Sequence, residues 1–384
     1  MPSWTSGSAA LRARWALDPT IDYLNHGSFG ATPRAVLAAQ GALRDEMESS
    51  LVEFLARRLP ARLDAVRSRV GALVGADPAG LVFVPNATHG VDAALDAIDW
   101  RPGDEVVHAD HGYNAVKQAL RRLEHRFGVK RVDAKVPFPL ADAGQVVEAF
   151  AAVIGPKTRL VIVDHITSAT ALVFPAADLV ALAHRHGVPV LVDGAHAPGL
   201  LDLDLRALDA DFYTGNLHKW VCAPKGAALF WVHPRWRETV HARVTSHGYG
   251  NGLAAEFEWT GTFDPTAWLA VPAALDHLDE LGLLDVRANN HALVQEGRER
   301  IAHALGVSLP HPDDASLYGP MAAIPVPWAK ASEGPTLNAR LYAEHRIEVP
   351  FTGYDERCFV RISGQVYNRP EQYVRLAEVL RSWR

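Results

Sequence analysis

Short apolar runs rich in β-branched residues recur along the first half of the chain, and longer segments with helical spacing of apolar positions separate them. Such runs predict buried strands, and the segments between them predict helices. The predicted strands cover residues 81–85, 104–108, 158–164 and 188–193. This alternation is typical of an α/β protein whose large, mainly parallel sheet has helices on both faces.

The helical pattern is interrupted early and changes towards the C-terminus. Composition and spacing predict a helix from Arg34 to about Arg58, an interruption at Pro60 and a second helix to Val74. Beyond Ala304 the pattern predicts short strands near 321–326, 346–350 and 358–362 and a helix after residue 370. We therefore expect a smaller C-terminal α+β portion.

Composition narrows the class of protein. The 384 residues are 48% hydrophobic and 21% charged, which is ordinary for a globular enzyme with a sizeable core. The net charge of -6 and the lack of a dense basic run argue against a nucleic-acid partner. No apolar stretch is long enough for a membrane span, and the N-terminus lacks a signal-peptide pattern. Cys222 and Cys358 give no disulfide framework, so we expect a cytoplasmic protein.

A carboxylate is predicted at the carboxyl edge of the sheet. The apolar run 188–193 ends in Asp193, and His196 follows shortly after. Ligands of open α/β sheets bind at this edge. A buried carboxylate there needs a cation or several hydrogen-bond donors to remain ionised. Asp193 therefore predicts a positively charged ligand.

A lysine with an unusual setting follows an aromatic segment further along the chain. Lys219 lies between His218 and Trp220 and just ahead of a Pro-Lys-Gly turn. A lysine attacks an aldehyde only when it is held close to it and is partly unprotonated. Pyridoxal 5′-phosphate (PLP) requires a lysine for its aldehyde and an acid for its ring nitrogen. Asp193 and Lys219 together predict a PLP enzyme with Lys219 as the Schiff-base lysine; Lys225, the only rival, has no partner histidine.

Two further elements offer sites for anions. The helix after the strand 81–85 begins near Ala87 and Thr88, and backbone N–H groups with a threonine hydroxyl at a helix start bind phosphate readily. An ordinary helix cap is the alternative there. Arg361, at the end of a late strand, offers a planar fork for a carboxylate, with a surface arginine as the alternative.

Several motifs, taken in order, resemble one family. D-G-A-H at 193–196, H-K-W at 218–220 and R-I-S-x-x-x-Y-N at 361–368 are similar to motifs of the class V aminotransferase-type PLP enzymes of fold type I. The segment Y-L-N-H-G-S-F-G-A-T-P at 23–33 most resembles the isopenicillin N epimerase-like branch. The similarity extends from about residue 20 to the end of the chain.

The resemblance implies an architecture and an assembly. We expect a fold type I PLP-dependent transferase with a large PLP-binding domain over 20–260. Residues 261–384, joined by an N-terminal arm over 1–19, are expected to form the small domain. Thr262 is expected to reach the cofactor phosphate of a neighbouring subunit, which implies a homodimer with a shared active site.

The resemblance also implies roles for individual residues. Tyr113 is expected to stack on the pyridine ring, and His196 to reach the ring oxygen near Ser168; a packing tyrosine and a structural histidine are the alternatives. Lys219, Tyr113 and His196 are the candidate catalytic residues. The expected cofactor-binding residues are Ala87, Thr88, Tyr113, Ser168, Asp193, His196, Asn216, His218, Lys219 and Thr262, and the expected substrate-binding residues are Asn25, His26 and Arg361.

Two other chemistries are disfavoured by the sequence. His108 and His111 have a spacing seen in metal sites, but no further ligand cluster accompanies them, so no metal is expected. A cysteine desulfurase needs a nucleophilic cysteine in the loop before its carboxylate-binding arginine. The corresponding loop at 345–357 has none, and Cys358 lies in the strand itself.

The expected substrate is an amino acid whose Cα–H is acidified by the cofactor. Lys219 is the natural base, and return of the proton to the opposite face needs a second acid, for which Tyr113, His26 and His111 are candidates. Amino-acid epimerisation is the first hypothesis. A C–S lyase that acts on a cysteine conjugate or sulfoxide by β-elimination is the second, because related sequences include such lyases. Transamination and PLP binding without turnover are the remaining alternatives.

Overall fold

Twelve strands form three sheets in the computed structural model, which describes residues 2 and 4–384. The strands are β1 (Asp22–Tyr23), β2 (Leu81–Val84), β3 (Glu105–Ala109), β4 (Lys130–Ala134), β5 (Thr158–Asp164), β6 (Val190–Asp193), β7 (Phe212–Asn216), β8 (Ala228–Val232), β9 (Met321–Lys330), β10 (Ile347–Glu348), β11 (Phe351–Tyr354) and β12 (Arg357–Ser363).

Helices connect and cover these sheets. They are α1 (Ala9–Arg12), α2 (His26–Phe29), α3 (Arg34–Ser49), α4 (Leu59–Val74), α5 (Ala87–Asp96), α6 (Asn114–Phe127), α7 (Gly144–Ala151), α8 (Ala176–Arg185), α9 (Leu205–Leu208), α10 (Leu253–Glu258), α11 (Thr266–Leu269), α12 (Val271–Leu281), α13 (Leu283–Leu305), α14 (Gly334–His345) and α15 (Pro370–Ser382), with a π-helical segment at Glu53–Arg58.

The largest sheet has the strand order β2-β8-β7-β6-β5-β3-β4. Strand β8 runs antiparallel to both β2 and β7, and the remaining neighbours are parallel. Its strands are apolar on both faces: along β5, Val161 and Val163 pack into one core cluster, whereas Leu160 and Ile162 pack into the other. Burial on both faces explains the continuous apolar runs in the sequence.

A smaller antiparallel sheet, in the order β11-β12-β9, lies in the C-terminal part of the chain. Helices α13 and α15 cover it with a core that includes Tyr373 and Leu376. The N-terminal segment packs nearby, because Trp15 belongs to the same apolar cluster as Val286 and Tyr367. The expected fold, a large mainly parallel α/β unit with a smaller α+β portion, is confirmed.

The structure changes some predicted details. Helix α3 ends at Ser49 rather than near Arg58, and Pro60 lies in the first turn of α4, where a missing backbone N–H costs no hydrogen bond. The predicted strand 346–350 is the short β10. The division into 20–260 and the flanking segments stays a prediction, and β1 pairs with β10 across that division.

Candidate active site

Two buried carboxylates stand side by side at the carboxyl edge of the large sheet. Asp164 ends β5, Asp193 ends β6, and the two residues are partners in the parallel register. One oxygen of Asp193 accepts a hydrogen bond of 3.0 Å from the Ala195 backbone N–H. Burial, together with the charge of Asp164, raises the pKa of Asp193 to about 7. This carboxylate therefore gains from a cationic ligand such as a protonated pyridine nitrogen.

Lys219 follows β7 and faces the same cavity as Asp193. Burial, and then the charge of Arg361, lowers the pKa of Lys219 to about 7. A large fraction of this amine is therefore neutral near pH 7, as attack on an aldehyde requires. Asp193 and Lys219 thus line one cavity of about 390 Å³.

His196 connects this lysine to the edge of the sheet. Its Nε2 lies 3.2 Å from the Lys219 Nζ. Burial and the nearby charge of Lys219 hold the pKa of His196 well below its ordinary value, so the ring is neutral. The Nδ1 is buried and has no hydrogen-bond partner in the described part of the chain. An unsatisfied buried nitrogen in a cavity wall fits contact with a bound ligand.

The loop that precedes α3 packs directly against the backbone of the lysine. Gly30 has a φ of +70°, and a Cβ at this position would lie 2.0 Å from the carbonyl oxygen of His218. Only glycine therefore permits this approach. The contact brings Ser28 and Phe29, which the sequence did not single out, into the cavity wall.

One end of the cavity is suited to phosphate. Helix α5 begins at Ala87 beside Thr88, and both line the cavity with Asn216. The Asn216 Oδ1 accepts the Ala87 N–H at 2.9 Å, so this amide is already paired within the protein. Lys225 also lines the cavity, although the sequence analysis considered it only as a rejected rival of Lys219. Its ammonium adds a positive charge to the wall of the cavity.

Arg361 is a buried cation close to the cavity. Its side chain is 3% exposed, and burial lowers its pKa to about 10. The guanidinium donates to the carbonyl oxygen of Ser168 at 2.5 Å and to the Ser28 Oγ at 2.8 Å, and both serines line the cavity. Its Nε has no partner, and none of the carboxylates of the described residues forms an ion pair with it. An anionic ligand would satisfy this charge.

Tyr113 and His218 complete the wall of the cavity. Tyr113 precedes α6, is 46% exposed, and donates its backbone N–H to the Asp164 Oδ1 at 3.3 Å. His218 has its Nδ1 3.1 Å from the Ala227 carbonyl oxygen, and burial lowers its pKa to about 4. Both residues therefore line the cavity, and their contacts with the cofactor ring stay predictions. Asp164, by contrast, was missed, although it ends a predicted strand as Asp193 does.

Some expected contacts do not reach the cavity. The His26 ring is fully buried and does not line the cavity, and its nitrogens lie 2.8 Å from the Tyr367 hydroxyl and 3.0 Å from the Lys219 carbonyl oxygen. Asn25 is also buried and acts through Ser28, whose Oγ donates to it at 2.5 Å. Thr262 is exposed and does not line the cavity of its own chain.

Metal binding and catalysis by a cysteine are the other chemistries that the sequence raised. No group of three or more His, Cys, Asp or Glu side chains in residues 4–384 is arranged to hold a metal ion. His111 is engaged by Thr170 and by the Val136 carbonyl oxygen. Both cysteines are buried, and burial raises the pKa of Cys222 to about 12.

No helix in the described part of the chain is long and apolar enough to span a membrane.

The cavity combines a lysine whose neutral amine can react with an aldehyde and an aspartate that can pair with a cationic ring. The family model for class V aminotransferases matches residues 24–372. The chain therefore belongs to the class V aminotransferase family, and this membership confirms the predicted PLP cofactor.

Individual similarities extend over nearly the whole chain. The chain is 32% identical to isopenicillin N epimerase of Streptomyces clavuligerus, over 96% of this chain and 96% of that protein. It is also 32% identical to a probable chloroplastic L-cysteine desulfhydrase of Arabidopsis thaliana, over 94% of this chain and 83% of that protein. Among solved structures, the cysteine desulfurase of Thermococcus onnurineus NA1 has a TM-score of 0.82 at 18% identity and covers 100% of this chain and 99% of that one, which shows the shared fold.

Proposed function

We propose that the protein is a PLP-dependent amino-acid epimerase that removes the Cα proton of its substrate and returns it to the opposite face. The observation that carries the proposal is the placement of Lys219, with a pKa lowered to about 7, in one cavity with the buried Asp193 and beside the unpaired Arg361. The similarity to isopenicillin N epimerase supports the choice of reaction.

PLP, when bound, withdraws electrons from the substrate Cα and so acidifies its hydrogen. Asp193 provides the negative charge that keeps the ring nitrogen protonated. The Lys219 Nζ takes the Cα proton with its lone pair, and the neutral His196 orients that amine through the 3.2 Å contact. Arg361 fixes the substrate carboxylate and thereby the orientation of the Cα–H.

Return of the proton to the other face needs a second donor. The sequence left Tyr113, His26 and His111 as candidates, but the nitrogens of both histidines are occupied inside the protein. Tyr113 lines the cavity and is half-exposed. We therefore assign the second proton to the Tyr113 hydroxyl. Solvent then returns a proton to the Tyr113 oxygen.

Elimination at Cβ is the second candidate reaction, because it needs only Lys219 as base and a leaving group on the substrate. The identity to the probable cysteine desulfhydrase equals that to the epimerase. A panel of amino acids and thioethers in deuterated solvent separates the two reactions. Deuterium at Cα with inversion supports epimerisation, and release of pyruvate and ammonia supports a C–S lyase. Neither product from any substrate would contradict both.

We also propose that the phosphate of the cofactor lies at the start of α5, where the Thr88 hydroxyl and the Asn216 side-chain NH2 donate to it beside the paired Ala87 amide, with Lys225 as its counter-charge. The exposed Thr262 is proposed to reach this phosphate in a partner subunit of a homodimer. A mixture of Lys219→Ala and Thr262→Ala chains tests the shared site, because mixed dimers recover one intact site. No recovery, or a monomer in solution, would contradict it. The two free, buried cysteines are consistent with a proposed cytoplasmic location.

A further inference from the structure

A second cavity adjoins the one that contains Lys219. Its volume is about 790 Å³, roughly twice that of its neighbour. Tyr113 and Ser168 form walls of both cavities. Because the Arg361 guanidinium is 3.2 Å from the Ser168 Oγ, the cavities meet beside the group assigned to the substrate carboxylate. We call this second space the outer cavity.

The outer cavity is built from both sheets. Arg131 and Asp133, which alternate along β4, and Lys135, which directly follows that strand, line the cavity. Residues 352–354 of β11 form the opposite wall. The Thr352 Oγ1 donates to the Ala169 carbonyl oxygen at 2.8 Å and so fixes this wall to the loop that carries Ser168.

Two of the three carboxylates that line this cavity have partners, and the third, Asp355, is exposed to solvent. Asp110 accepts hydrogen bonds from the Val136 backbone N–H at 3.2 Å and from the Tyr354 hydroxyl at 3.0 Å. Asp133 is paired with Arg131 at 3.0 Å. Asp110 and Asp133 therefore contribute little to recognition of a further cation, and solvent screens the charge of the exposed Asp355.

Lys117 differs from these groups. Its Nζ donates to one acceptor, the backbone carbonyl oxygen of Asp110 at 2.7 Å, and it forms no ion pair with any residue that the structure describes. An ammonium has three donors, so two of them are free for a ligand. The exposed Lys135 lies 3.7 Å from Asp110 and adds positive charge nearby. This half-buried cation in a cavity wall favours an anionic ligand.

We propose that the outer cavity binds the far end of an extended amino-acid substrate whose side chain terminates in a carboxylate, with Lys117 as its principal ligand. The proposal rests on the function proposed above, because Arg361 holds the α-carboxylate of the same molecule. Short amino acids occupy only the cavity that contains Lys219. Substrates with a distal carboxylate reach past Tyr113 and gain a charge-assisted hydrogen bond.

The test compares 2-aminopimelate with 2-aminoheptanoate, which lacks the terminal carboxylate but has a chain of similar length. In the holoenzyme, Lys117→Met removes the charge and retains most of the side-chain volume. We expect KM of Cα hydrogen exchange to rise about tenfold or more for 2-aminopimelate, from loss of one charged hydrogen bond, and to stay unchanged for 2-aminoheptanoate. Lys130→Met is the matched control, because Lys130 is exposed on β4 and does not line the cavity.

An equal rise of KM for both substrates, or no rise for either, would overturn the proposal. If the wild-type enzyme exchanges no Cα hydrogen of any amino acid, the proposed function fails and calorimetric binding of 2-aminopimelate to the holoenzyme decides about the outer cavity. Weaker binding by the Lys117→Met protein than by the wild type would then support the site. Equal binding by the two proteins, or no binding at all, would overturn it.

Discussion

The Nζ of Lys219 lies 3.2 Å from the Nε2 of His196, and burial lowers the pKa of both groups. A neutral imidazole next to a lysine does not compensate a positive charge, whereas an ionised carboxylate in its place would raise the lysine pKa. The pair therefore keeps the amine available as nucleophile and base. The lowered pKa of both groups depends on their burial. Bulk water in the cavity would bring both pKa values back towards their ordinary range.

The pH dependence of cofactor capture follows from this pair. The pKa of Lys219 is lowered from 10.5 to about 7, and only the neutral amine attacks the aldehyde. We expect the rate at which the PLP-free protein captures PLP to rise with pH through about 7 and to level off above it. Stopped-flow absorbance measures this rate, with Lys219→Ala as the control that captures none. A rise that continues to pH 10 would contradict the lowered pKa.

Replacement of Arg361 by lysine tests the carboxylate site. A lysine retains the positive charge but loses the planar fork, so KM for an amino acid should rise by about 10- to 100-fold while kcat changes less. Arg357→Lys is a matched control, because Arg357 is in the same strand and its Nη2 donates to the Phe138 carbonyl oxygen away from the cavity. A larger effect on kcat than on KM would show that Arg361 does more than bind substrate.

Much of the fold was predictable because a parallel sheet buried on both faces leaves long apolar runs. The same logic located Asp193, since the last residue of such a run lies at the edge where ligands bind. Asp164 occupies the equivalent place on the neighbouring strand. It was missed because its role depends on register between strands, which a single run does not reveal.

Other parts of the site could not be predicted from local sequence. His26 stands in a polar, glycine-rich loop that suggests substrate contact, yet the loop turns its ring towards the backbone of Lys219. Lys225 has no distinctive neighbour in the sequence, and only the fold brings it into the wall of the cavity that contains Lys219. Side chains on loops receive their direction from tertiary packing, which local patterns do not encode.

We expect Asp193→Asn to stabilise the PLP-free protein and to lower its catalytic activity. In the PLP-free protein the pKa of Asp193 is raised from 3.8 to about 7, so stability from this group is lost as pH rises from about 4 to about 7. Asparagine removes this cost and should stabilise the PLP-free protein at pH 8 by up to roughly 3 kcal/mol, with little gain at pH 4. Catalysis should fall at both values. Thermal unfolding at the two pH values measures the difference, and exposed Asp45→Asn is the control.

The Tyr367 hydroxyl anchors the His26 ring behind Lys219. The Lys219 carbonyl oxygen accepts from Nε2, so Nδ1 must accept, and it does so from the Tyr367 hydroxyl at 2.8 Å and from the Ala31 N–H at 3.4 Å. Tyr367→Phe removes the stronger donor and leaves a buried nitrogen undersatisfied, at a cost of about 1–3 kcal/mol in the free energy of unfolding. The Lys219 carbonyl oxygen and the Ala31 N–H still select the same tautomer, but the ring loses its strongest anchor and holds the lysine backbone less firmly.

We therefore expect Tyr367→Phe to weaken PLP binding and shift the pH profile of capture, beyond the loss of stability. Tyr373→Phe supplies the comparison, because its buried hydroxyl donates at 2.8 Å to the Ser363 carbonyl oxygen and has no link to Lys219. Both variants should lower the melting temperature, but only Tyr367→Phe should change the capture profile. A loosened lysine backbone must alter the reactivity of the amine that it carries. Equal loss of stability and equal capture of PLP by the two variants would therefore show that His26 has only a packing role.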